Sequence, residues 1–131
     1  MIPDSHVDIF EKESFAHVAT NNPDGSPHVT PVWVGHEGRD TVVINTTQHR
    51  RKARNLQRDP QVALSVQDPD EPYRYVQVQG EVEEITREGA VEHINAFAQQ
   101  YMGVEEYPDL DEENDPRVIV RIAVEHTTTM G

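Results

Sequence analysis

The chain lacks cysteine altogether, has only two lysines, Lys12 and Lys52, and contains no long hydrophobic run. Without thiols, zinc ribbons, iron–sulfur clusters, thiol catalysis and disulfide scaffolds are excluded. No stretch approaches the roughly 20 apolar residues of a membrane span. Met1-Ile2-Pro3-Asp4-Ser5 has neither the basic region nor the apolar core of a signal peptide, so a cytoplasmic protein is expected. Also missing are a Gly-x-Ser-x-Gly elbow, a P-loop and a dinucleotide fingerprint, which removes hydrolase and Rossmann readings. Seven histidines are scattered with no His-x-x-x-His pair, so no metal site is expected.

What remains is a strongly acidic chain of 131 residues, with 24 acids against 11 cations and a net charge of −13. That length fits one domain, 1-131, with a core large enough to fold without staples. Nucleic acid and anionic membrane are excluded as main ligands, because both need a basic footprint. Many carboxylates with few lysines resemble halophilic proteins, which stay soluble where salt screens their self-repulsion.

The pattern along the chain is mainly extended. Ser5 is placed to cap a short helix running to Glu11 or Glu13. Strands are predicted over 15–20, 27–36, 41–45, 61–66, 75–83 and 117–124, six in all, from alternation and β-branched residues. Pro23-Asp24-Gly25-Ser26 and Glu37-Gly38 supply turns, and Gly80 marks a bulge or close approach. Helices are predicted over Gln48–Arg58, capped by Thr46 or Thr47, and over Arg87–Met102, with Val91, Ile94, Ala98 and Tyr101 at helical spacing. The stretch from Glu105 to Asp115 reads as a solvated acidic loop rather than a calcium site, since it lacks EF-hand spacing. Strands joined by tight turns give a small antiparallel barrel.

Two segments depart from the rest. Arg50, Arg51, Lys52, Arg54 and Arg58 place five of the cations in nine residues, two of them in a predicted first helical turn, where the dipole disfavours positive charge. A phosphate there would collect backbone N–H groups, the Thr46 and Thr47 hydroxyls and the cationic side chains. Pairing with the carboxylate-rich surface is the other reading, and it suits Arg54 and Arg58. In Pro27-His28-Val29-Thr30-Pro31-Val32-Trp33, Pro31 cannot donate to a ladder. The freed backbone and Trp33 suit a flat heteroaromatic ring, or else a bulged edge strand with a core tryptophan.

Taken together, Asp24 to Trp33, Arg50 to Ala63 with its Lys-x-x-Asn-Leu-x-x-Asp-Pro pattern, and Val78-Gln79-Gly80-Glu81-Val82 resemble the pyridoxamine 5'-phosphate oxidase-like split β-barrel family, on its deazaflavin (coenzyme F-420) dependent side. The resemblance covers about Phe15 to Val124. It implies a six-stranded antiparallel split β-barrel of Greek-key order and a homodimer with two cofactor sites at the interface. By position it places Arg50, Lys52 and Asn55, with Arg51, at the phosphate. Asn45, Thr46 and Thr47 would line the cofactor, and His28, Pro31, Val32 and Trp33 would border the ring. Tyr73 and Tyr75 would reach in from the partner chain. The implied activity is hydride transfer between F-420 and a small conjugated organic substrate, with no catalytic side chain assigned. FMN in place of F-420, and a flavin-binding protein without turnover, are the alternatives. A true pyridoxamine phosphate oxidase is not expected, because no substrate-binding extension follows Met130-Gly131.

Overall fold

The computed structural model describes residues 1–108, 110 and 114–131. Asp109, Asp111, Glu112 and Glu113, part of the expected acidic loop, lie outside the described residues. The elements are a 3-10 helix (Val7–Glu11), β1 (Phe15–Asn21), β2 (Pro27–Trp33), β3 (Gly35–Glu37), β4 (Thr41–Thr47), α1 (Arg51–Arg58), β5 (Gln61–Gln67), β6 (Tyr75–Thr86), α2 (Ala90–Met102) and β7 (Arg117–Met130).

All seven strands form one antiparallel sheet in the order β2-β1-β5-β6-β7-β4-β3. Its β4-β7-β6-β5 portion has a Greek-key order. The sheet curls until β2 approaches β4. Side chains alternate along each strand, so Val18, Val42, Ile44, Leu64, Val66, Val76, Val78, Val118, Val120 and Ile122 fill the interior with Ile2, Ile9, Phe10 and Leu56. The opposite face of β4 and β7 is covered by α2, with Val43, Ala90 and Ile119 between them.

The expected count of six strands is corrected to seven, because the predicted strand 27–36 is broken at Val34. Residues before the break pair with β1 and those after it with β4, so the chain passes here from one edge of the sheet to the other. A ladder cannot serve both edges at once. The Tyr101 hydroxyl serves Val34 instead, accepting its N–H at 3.2 Å while donating to the Ser14 carbonyl at 2.5 Å.

Other boundaries also move. Ser5 does not cap the first helix, which is a 3-10 turn without a side-chain cap. Its hydroxyl meets His6 Nδ1 at 2.7 Å. Nor do Thr46 and Thr47 cap α1, since strand pairing continues through Thr47 opposite Arg117, and Arg50 occupies the cap position. Helix α2 starts at Ala90 behind Gly89 and buries Ala90, Ile94, Phe97 and Ala98, leaving Val91 46% exposed on the flank. Gly80 sits at a register shift where a Cβ would lie 2.3 Å from the Ala123 carbonyl oxygen, so glycine is required there by close approach.

One buried carboxylate anchors the N-terminal segment to the β5–β6 turn. Asp68 Oδ1 accepts from Lys12 Nζ at 3.0 Å and Oδ2 from Arg74 Nη1 at 2.9 Å. Burial pushes its pKa up, but the Asp70 N–H, Lys12 and Arg74 outweigh that and hold the carboxyl below its usual range.

Candidate cofactor cleft

The end of β2, the end of β4 and α2 frame a cleft of about 150 Å³, lined by Phe15, Pro31, Val32, Trp33, Asn45, Arg50, Ile94, Phe97, Tyr107 and Arg117. Its walls are aromatic. Trp33 stacks on Tyr101 at 5.0 Å between centroids and meets Phe97 and Tyr107 edge-on at 6.3 and 5.9 Å. Pro31 faces outward beside it with no N–H to offer. The floor is polar. Asn45 Nδ2 donates to the Ala90 carbonyl at 2.9 Å and to His93 Nδ1 at 3.0 Å, and Arg117 Nη1 lies 3.4 Å from Asn45 Oδ1. The Arg117 guanidinium also sits over the Tyr107 ring, 4.6 Å from its centroid.

A cluster of positive charge adjoins this floor. Lys52 is 5% exposed and has no carboxylate partner among the described residues. Burial pushes its pKa down, and Arg50 and Arg117 push it further. Three cations thus feel one another in a chain of net charge −13, two of them lining the cleft. Thr46 Oγ1, on the interior face of β4, is buried with no hydrogen-bond partner among the described residues, as are His28 Nδ1 and Thr30 Oγ1 on β2. A buried donor without an acceptor and a buried ammonium without an anion both fit an oxyanion such as phosphate.

Of the residues expected at the site, Pro31, Val32, Trp33, Asn45 and Arg50 meet in the cleft. Lys52 does not line it but feels the charges of Arg50 and Arg117, which do, and Thr46 and Thr47 are buried at the end of β4. His28 lies on the interior side of β2 opposite Thr20. Arg51 is exposed on the outer side of α1. Asn55 is fully buried and occupied elsewhere, donating to Thr20 Oγ1 and Asn22 Oδ1 at 3.0 Å and accepting from Arg58 at 3.3 Å. This locks α1 onto the β1–β2 turn. Tyr73, 86% exposed, and Tyr75 lie away from the cleft of their own chain, in a depression with His17, Ser65, Gln67 and Pro72. Sequence reasoning missed Phe15, Ile94, Phe97, Tyr107 and Arg117. The ring residues His93, Phe97 and Tyr101, each four apart on one helical row, were a readable signal for the α2 wall.

Among the described residues, no group of three or more His, Cys, Asp or Glu side chains is placed to hold a metal ion. None of the described helices is long and apolar enough to cross a membrane.

With this geometry in hand, comparison with known proteins gives a consistent answer. The family model described as pyridoxamine 5'-phosphate oxidase matches residues 2–131. The chain belongs to this family, and its curled antiparallel sheet is the family's split-barrel fold. An F420 reductase of known structure is 32% identical over 97% of this chain and 98% of its own, with a TM-score of 0.84. A conserved hypothetical protein from Mycobacterium tuberculosis is 27% identical over 99% of this chain and 85% of its own, with a TM-score of 0.76. General Stress Protein 26 from Bacillus anthracis, 16% identical over 97% and 92% with a TM-score of 0.70, shares the fold. The comparison with curated proteins gives no match. Family membership and the F420 reductase likeness support a flavin-related oxidoreductase role.

Proposed function

We propose that this chain is an oxidoreductase that uses coenzyme F-420 to reduce small conjugated organic molecules, with the cofactor seated in the aromatic cleft. The observation that carries this reading is the convergence of Arg50, Lys52 and Arg117 beside a cleft walled by Trp33 and Phe97, which suits a ligand with an anionic tail and a flat ring. The 32% identity to an F420 reductase favours the deazaflavin over FMN.

When bound, the deazaflavin supplies hydride transfer. The chain's own residues position it and keep water away. Arg50 and Lys52, with Arg51 on the exposed side of α1 less central, take the phosphate side, and Asn45, Thr46 and Thr47 at the end of β4 line the cofactor through backbone and hydroxyls. Pro31, Val32 and Trp33 border the ring, with His28 behind them. Asn55 acts at one remove, by holding α1 against the turn that precedes β2. No side chain is assigned a proton-transfer step.

The protein acts as a homodimer in this reading, and the outer sheet face supports it. Phe15 and Val29 at the β1–β2 edge and Tyr73 in the β5–β6 turn are 51%, 62% and 86% exposed, apolar side chains that a second copy would cover. A second copy on that face would bring Tyr73 and Tyr75 toward the partner's cleft. The whole chain, 1-131, works as one cofactor-binding domain, at home in the cytoplasm.

The test is reoxidation of reduced F-420 in the presence of quinones and other conjugated acceptors. Turnover that requires the protein supports the proposal. Binding without turnover on any acceptor makes this a storage protein, and absence of both F-420 binding and turnover overturns it.

A further inference from the structure

The side chain at the bottom of the cleft is held from behind. Asn45 is 7% exposed, and both hydrogens of its amide nitrogen are used, one on the Ala90 carbonyl and one on His93 Nδ1. A flipped amide would set its oxygen against the Ala90 carbonyl, acceptor against acceptor, so the orientation is fixed with Oδ1 toward Arg117. His93 Nδ1 must therefore accept, which requires a neutral imidazole with its proton on Nε2. The ring is also packed on Phe97, at 4.4 Å between centroids, and Phe97 lines the cleft.

We propose that His93 is the positioning residue that keeps Asn45 Oδ1 turned toward Arg117 at the cleft floor, and that protonation of His93 releases Asn45 and weakens ligand binding there. A protonated imidazole carries N–H on both nitrogens, so Nδ1 would face the Asn45 N–H donor against donor. The bond fails, the amide is free to rotate, and the contact between Asn45 Oδ1 and Arg117 is lost. Charged groups around the ring set where this happens. From β7 comes Arg121 and from β3 Glu37, with Arg117 beyond Asn45 and the exposed Glu92 next along the helix, whereas the outer face of β4 offers Thr41, Val43, Asn45 and Thr47, none of which titrates. Burial and then Arg121 press the His93 pKa down, against the pull of Glu37. Glu37 is itself engaged by Arg121, whose Nε donates to Glu37 Oε1 at 2.9 Å. The neutral, accepting form therefore prevails at pH 7, and the release comes below the ordinary histidine value of about 6.5.

This inference rests on the cleft being the cofactor site, and its test separates the two. In ligand-free protein, nitrogen NMR of the His93 ring at pH 7 is expected to find the proton on Nε2. On acidification the Asn45 side-chain amide should shift in step with the ring. A proton on Nδ1, or an Asn45 amide indifferent to the titration, overturns the proposal whatever the protein binds. With F-420 as probe, wild-type affinity should fall about tenfold from pH 7.5 to a pH at which the NMR shows the His93 ring protonated. His93→Asn, whose side-chain oxygen can accept at the same position without titrating, should hold its affinity across that range. His93→Leu, checked for folding by circular dichroism, should bind weakly at both. A His93→Asn variant that follows the wild-type profile, or a folded His93→Leu variant that binds as tightly as wild type, refutes the positioning role. Wild type that does not bind F-420 removes the cofactor assignment and leaves the NMR result to decide this one.

Discussion

Replacing Lys52 with methionine should move stability and binding in opposite directions. Lys52 is 5% exposed and carries no carboxylate partner among the described residues, so the ligand-free fold bears an uncompensated buried charge. Repulsion from Arg50 and Arg117 adds to the cost. Methionine keeps the length of the stem, and it has no charge to desolvate. The ligand-free variant should be as stable as wild type or more so, by about 1–2 kcal/mol, which raises the thermal midpoint by roughly 3–8 °C in a chain of this size. Binding behaves otherwise. An ammonium-to-phosphate hydrogen bond contributes about 1.5–3 kcal/mol, so F-420 affinity should drop roughly 10- to 150-fold. Urea denaturation of the free protein and calorimetric titration with F-420 measure the two quantities separately. A variant that is destabilised by more than about 1 kcal/mol while binding F-420 as wild type does would show that the ammonium serves the fold and not a ligand.

Further perturbations probe the frame around the cleft. Gly80→Ala, whose Cβ would sit 2.3 Å from the Ala123 carbonyl oxygen, should cost about 3 kcal/mol in urea denaturation; a loss below about 1 kcal/mol would mean that β6 and β7 can move apart there. Tyr101→Phe strands the Val34 N–H and the Ser14 carbonyl at the strand switch and should cost about 1–3 kcal/mol, with a quantum-yield change in Trp33, which stacks on that ring. Asp68 has a folded-state pKa below its unfolded value, so its contribution is present above the ordinary carboxylate range and is lost as pH falls through the folded value. Asp68→Asn should therefore lower the denaturation midpoint clearly at pH 7 and much less near pH 2; an equal deficit at both would contradict the ion-pair account.

The strands were legible wherever a two-residue alternation meets a single buried face. Val76, Val78 and Val82 against Gln77, Gln79 and Glu81 place β6 correctly, and Gly80 announces its bulge. The switch at Val34 was not legible, because Val32-Trp33-Val34 is continuous in hydrophobicity and the group that satisfies the break, Tyr101, lies 67 residues away. The cap at Thr46 or Thr47 failed for a related reason: hydroxyls suit a cap locally, yet pairing with β7 holds both residues in the strand. Of the residues that line the candidate cleft, those with unusual local chemistry, Pro31, Trp33 and Arg50, were legible in the sequence. Those that read as ordinary core, Ile94 and Phe97, or as the opening of a strand, Arg117, were missed, since the docking of α2 on the sheet brings the first two to the cleft and the pairing of β7 with β4 brings the third.

The most direct test of the account is a parallel titration of the protein with F-420 and FMN in high salt, following the emission of Trp33, the single tryptophan, which lines the cleft. The account predicts saturable quenching by F-420 at one site per chain, with FMN much weaker. Tighter binding of FMN would contradict the deazaflavin assignment, and emission unchanged by either ligand would contradict the placement of a cofactor in this cleft.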